Sequence, residues 1–71
     1  LLDELLAAVP PALTVQLEVK AHADHELALR TTRVLCERLA RHPARDRCEI
    51  ISFWSDACEL AAGLGFRARL V

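Results

Sequence analysis

The sequence predicts an α/β fold in which three parallel strands alternate with helices, and three observations lead there. Helical spacing of apolar residues and strict two-residue alternation succeed one another along the 71 residues in the order α-β-α-β-α-β. The second of the alternating segments, Cys48 to Phe53, is largely apolar on both faces near its middle, as a central parallel strand should be. Proline, glycine and capping residues punctuate the changes of period. Strands separated by helices imply parallel pairing through right-handed crossovers, hence a layered sheet or part of a barrel.

Each element has its own warrant. Leu1 to Val9 carries apolar residues at 1, 2, 5, 6 and 9, a helical spacing, with Asp3 and Glu4 where a helix dipole favours acids. Pro10-Pro11 stops it. From Leu13 to Lys20 the period becomes two, with Val15, Leu17 and Val19 on one side and Gln16, Glu18 and Lys20 on the other. Asp24 is the expected N-cap of a long amphipathic helix from His25 to Arg41, whose predicted buried stripe is Leu27, Ala28, Thr31, Val34, Leu35, Arg38 and Leu39, with Arg38 on its margin, stem packed and charge in water. His42-Pro43 ends it. Ser55 is the expected cap of a short helix over 56–62 with Gly63 as its C′ residue, and Phe66, Ala68 and Leu70 then alternate with Arg67, Arg69 and Val71 in a third strand. No internal repeat or linker divides the chain.

Composition excludes several classes. At 54% hydrophobic residues the chain is no disordered segment, and at 7.9 kDa it is one small domain at most. A chain this small buries only about 60–65% of its unfolded surface. It begins at Leu1 without Met and stops at Val71 in mid-apolar run, so a piece of a longer chain is expected. Net charge −1 and pI near 6.3 give no attraction to nucleic acid. No apolar run approaches the ~18 residues of a transmembrane helix. Cys36, Cys48 and Cys58 are odd in number and spaced as neither a metal nor a disulfide framework, which reads as reduced thiols and a cytoplasmic location.

The most informative chemistry is Gln16, Glu18 and Lys20. If the apolar side of their strand packs on helices, these residues face the opposite surface of the sheet: solvent or a second layer in an open sheet, the lumen in a closed barrel. A carboxylate and an ammonium two residues apart at the C-terminal end of a parallel strand stand where barrel enzymes place catalytic groups. The carboxylate suits a hard cation, and the ammonium suits an anionic substrate as a point charge. A solvated strand end accounts for the same spacing.

Leu2-Asp3-Glu4-Leu5-Leu6 … Val9-Pro10, then Val15-Gln16-Leu17-Glu18-Val19-Lys20, then Ile50-Ile51-Ser52-Phe53, resemble the middle of the glycerophosphodiester phosphodiesterase family. That family carries a "TLEELL…P" helix, an "(I/L)E(I/L)K" strand and an "(I/V)xSF" strand in this order. The resemblance spans residues 2–71. It implies a segment of a (β/α)8 TIM-type barrel, and the metal-dependent hydrolysis of a small phosphodiester substrate to an alcohol and glycerol 3-phosphate. It further implies a divalent metal, Mg²⁺ or Ca²⁺, with Glu18 as one acidic ligand, and Lys20 on the substrate phosphate. By the same resemblance Ser52 and Phe53 line the pocket. Trp54 stands where relatives often carry a small or acidic residue, and is expected as an apolar wall of that pocket.

Other parts of the family pattern match nothing among these residues: a His-Arg segment, a Glu-x-Asp pair and a second histidine. A full barrel takes roughly 250 residues, so the remainder of the barrel is the expected partner, and the 71 residues alone are expected to be inactive. The alternative is a non-catalytic α/β binding module or a degenerate barrel. His22, Asp24, His25 and Glu26 offer four metal-capable side chains in five residues, yet Asp24 is needed as a cap and exposed loop histidines are the plainer expectation. Six arginines between Arg30 and Arg47 against Glu37 and Asp46 read as a solvated helix face, since no aromatics interleave for stacking on nucleic acid. Arg67 and Arg69 would assist Lys20 with phosphate if they share its face, and would otherwise snorkel past the flanking helix.

Overall fold

The computed structural model describes residues 2–21 and 23–71. Helix α1 (Leu2–Ala8) leads into strand β1 (Val15–Val19), helix α2 (His25–Leu39), a 3-10 turn (Arg45–Arg47), strand β2 (Cys48–Ser52), helix α3 (Ser55–Gly63) and strand β3 (Arg67–Leu70). The three strands are parallel and lie in the order β1-β2-β3, which makes the chain an α/β fold. Val15 stands beside Cys48, Leu17 beside Ile50 and Val19 beside Ser52, while Ile50 also stands beside Ala68. The central strand is the apolar one, as its composition required.

One core joins these elements. Leu6 of α1, Ala28, Cys36 and Leu39 of α2 and Ala61 of α3 cluster with Val19, Cys48, Ile50 and Phe66, and Val15, Leu17 and Ala68 pack against them. All of these strand residues belong to one alternation, so the helices cover one face of the sheet. Gln16, Glu18, Glu49, Ile51, Arg67 and Arg69 belong to the other. The polar residues of β1 therefore fall on the helix-free face.

Helix α2 corrects its predicted stripe. Its buried residues are Ala28, Thr32, Cys36 and Leu39, while Leu27 and Val34 are 41% and 47% exposed and Thr31 is exposed too; Arg38, expected at the margin, is exposed. The helix is rotated toward its small residues because it packs against α3 as well as β1. Wholly buried Ala57 and Ala61 on α3 allow that close approach. Thr32 is tolerated there because its hydroxyl donates to the Ala28 carbonyl at 2.8 Å.

The caps divide between expectation and correction. Asp24 caps α2, its Oδ1 accepting the Leu27 N–H at 3.0 Å. Ser55 does not cap α3: it is already helical, and Trp54 holds the N-cap position without a side-chain bond. Gly63 is not the C′ residue either. Gly65 is, at φ 93°, with Gly65 N–H donating to Ala62 and Phe66 N–H to Ala61, a Schellman closure. The aromatic ring of Phe66 then drops into the core where that closure delivers it.

Cys36, Cys48 and Cys58 are free thiols, and burial pushes all three up from their ordinary value. Among the described residues no helix is long and apolar enough to cross a membrane.

Candidate functional site

Parallel register builds the helix-free face in rows. Gln16, Glu49 and Arg67 form one row, and Glu18, Ile51 and Arg69 form the next, nearer the C-terminal ends of the strands. Gln16 Nε2 donates to Glu49 Oε1 at 2.8 Å, and Arg69 Nη2 lies 3.5 Å from the same oxygen. Glu49 is thus held between β1 and β3, and Arg69 is directed at it rather than at Lys20. Arg67 turns to the opposite end of the sheet, donating to the Asp46 carbonyl at 3.0 Å.

Glu18 and Lys20 are both exposed, Glu18 as the penultimate residue of edge strand β1 and Lys20 immediately beyond the strand. The alternation that buries Val19 sends Glu18 to the helix-free side, and Lys20 is the first residue beyond the ladder. Ser52 and Phe53 are not brought together. Ser52 is 0% exposed in the row of Val19 and Leu70, its Oγ accepting the Trp54 N–H at 3.0 Å, so its hydroxyl faces the helices. Phe53, next in the chain, is 47% exposed.

Trp54 is partly buried against the core, and its indole Nε1 donates to the Ala21 carbonyl at 3.0 Å. Its ring stacks on the imidazole of His25, centroids 4.4 Å apart and planes 22° from parallel. His25 Nε2 in turn pairs with Asp56 Oδ2. His25 is therefore no free loop histidine, although both partners keep side chains 46% exposed. Sequence reasoning missed this group because His25 and Asp56 lie 31 positions apart. The usable signal was their shared place in the first helical turn after successive parallel strands, which sets them side by side. His22 lies outside the described residues.

A divalent cation takes six or more oxygen ligands when it is Ca²⁺, and near-octahedral geometry when it is Mg²⁺. Among the described residues no three His, Cys, Asp or Glu side chains converge in that way. Glu49, the other carboxylate on this face, is already engaged by Gln16 and Arg69. The residues present do not by themselves fit a cation. What Lys20 supplies alone is a positive charge beside a strand end.

No family model, curated protein or solved structure matches this chain.

Proposed function

We propose that these 71 residues form part of the wall of a glycerophosphodiester phosphodiesterase-like (β/α)8 barrel, with the helix-free face turned to the lumen. The observation that supports this reading is Glu18 on that face and exposed Lys20 just beyond it, at the C-terminal end of a parallel strand, where barrel enzymes do their chemistry. In this reading the Lys20 ammonium holds the substrate phosphate and offsets its charge, and Phe53 borders the same strand-end region. Glu18 would contribute one carboxylate to a cation site, Mg²⁺ or Ca²⁺, whose other donors come from outside these residues. Proton transfer falls to groups supplied by the remainder of the barrel. The chain alone binds and does not turn over.

The test is a titration of the isotopically labelled chain with glycerol 3-phosphate. Saturable shifts should appear at Lys20 and Phe53 and disappear in Lys20→Met. Shifts confined to the arginines of α2, or unchanged in Lys20→Met, would sink the phosphate role. Hydrolysis of glycerophosphocholine by the chain alone, dependent on added Mg²⁺ or Ca²⁺, would overturn its inactivity. A second reading, a non-catalytic α/β binding module, is favoured by the Gln16–Glu49–Arg69 network, which leaves that part of the face internally paired. A chain that ignores glycerol 3-phosphate altogether supports it.

A further inference from the structure

Lys20 can serve as a phosphate contact only if the chain just beyond β1 is held still. Strand pairing does not do this, because the β1–β2 ladder ends at Val19 and Ser52. The next residue, Ala21, is instead held from across the sheet by Trp54 Nε1 at 3.0 Å. Trp54 is fixed at two further points. Its backbone N–H donates to the buried Ser52 hydroxyl, and its ring is stacked by His25, which Asp56 retains from the first turn of α3. The contacts thus run Asp56, His25, Trp54, Ala21, joining the start of both helices to the end of β1.

This arrangement also accounts for a local irregularity. An N-cap position favours Ser, Thr, Asp or Asn, yet α3 has Trp54 there with no side-chain cap bond. A small polar cap would serve the helix but would not reach Ala21. The helix forgoes that capping bond and the β1–α2 loop gains a partner.

We infer that Trp54, backed by His25 and Asp56, is a positioning residue that fixes the end of β1 carrying Glu18 and Lys20. Its purpose rests on the phosphate reading above, whereas its geometry does not. Two measurements separate the two. The first is the ligand-free backbone order parameter by ¹⁵N relaxation. At Lys20 and Ala21 it should lie near the rigid value of about 0.85 in the native chain and fall below about 0.6 in Trp54→Phe, which keeps a ring but loses the indole N–H. Ile50 and Leu39 should stay unchanged. An unaltered Ala21, or a parallel fall at Ile50, overturns the inference.

The second measurement is the glycerol 3-phosphate affinity, expected to weaken about fivefold in Trp54→Phe, as the loss of one directing hydrogen bond allows. Affinity equal to the native chain's overturns the inference. No response in the native chain, with the order-parameter loss intact, removes the phosphate reading and leaves the positioning role standing. Asp56→Ala frees the imidazole but keeps the indole bond, at an exposed pair whose removal should not unfold the chain. It should produce a smaller loss of order at the same two residues, and no loss there would strike His25 and Asp56 from the device.

Discussion

The two ends of the sheet are secured by different means. At the N-terminal end the work is done by guanidinium groups on backbone carbonyls. Arg47 Nη1 donates to Pro10 at 2.8 Å and to Leu13 at 3.2 Å, closing the α1–β1 loop onto the start of β2. Arg67 donates to the Asp46 carbonyl, and Arg45 reaches Gly65 O at 3.4 Å while lying 4.6 Å over the Phe66 ring. At the C-terminal end an indole and an imidazole hold the turn after β1. Arginines spent on carbonyls are bound up in the fold, whereas Glu18 and Lys20 stand exposed at an end where Trp54 and His25 hold the turn. That division, arginines securing one end and exposed Glu18 and Lys20 at the other, is the arrangement the proposed barrel-wall role would use.

The comparison can be broken at several strengths. The largest effect belongs to Ile50→Ala, since Ile50 is fully buried at the middle of the central strand and serves both ends. It should lose about 2–5 kcal/mol, comparable with the whole stability of so small a domain, and urea unfolding would read it. A loss under about 1 kcal/mol would place the core elsewhere. Arg47→Met should cost less, about 1–2 kcal/mol, because two carbonyls lose a charged donor at a partly solvated site. Its faster amide exchange should centre on Ala12 to Thr14, beyond the two prolines, and spare Ala21, and an equal response at both ends would dissolve the contrast.

Alkaline pH sharpens the same contrast through the thiols. Burial holds the folded Cys48 thiol above its ordinary 9.0, against the opposing pull of Arg47 and then Arg67. Above that value the unfolded chain releases a proton that the folded chain retains. Stability is therefore fully present below about pH 9 and declines as pH rises through the folded values of the thiols. Cys48→Ala should flatten that decline in a series of melts, and an identical slope would mean that Cys48 does not contribute. The smallest effects belong to Glu18→Gln and Lys20→Met, which should change stability by no more than about 0.5 kcal/mol. A larger loss would make these residues part of the scaffold.

Much of this fold could be read from the residues because its signals are local. The two-residue alternation of Val15, Leu17 and Val19 and the capping chemistry of Asp24 depend on near neighbours, and both appear where periodicity and composition put them. Errors arose where packing outranked local preference. The larger side chains of Leu27 and Val34 suggested the buried stripe of α2, but contact between two helices and a sheet favoured Ala28, Thr32 and Cys36. Ser55 looked like a cap and Gly63 a terminator, yet α3 starts one residue earlier than expected and closes at Gly65. Of the candidate site, the face of Glu18 was legible. Ser52, a pocket residue by the resemblance, is instead buried, because the alternation that turns Ile50 inward turns Ser52 inward too. The Gln16–Glu49 bond and the His25–Asp56 pair depend on strand register and helix placement, which no single segment encodes.

The alanines near the starts of α2 and α3 have a consequence of their own. Ala28 and Ala57 are both wholly shielded from solvent, one in the first turn after His25 and the other directly after Asp56. A longer side chain in either place would have to displace packed neighbours and shift the helix start that carries His25 or Asp56, so the geometry of that pair depends on methyl groups that take no part in it.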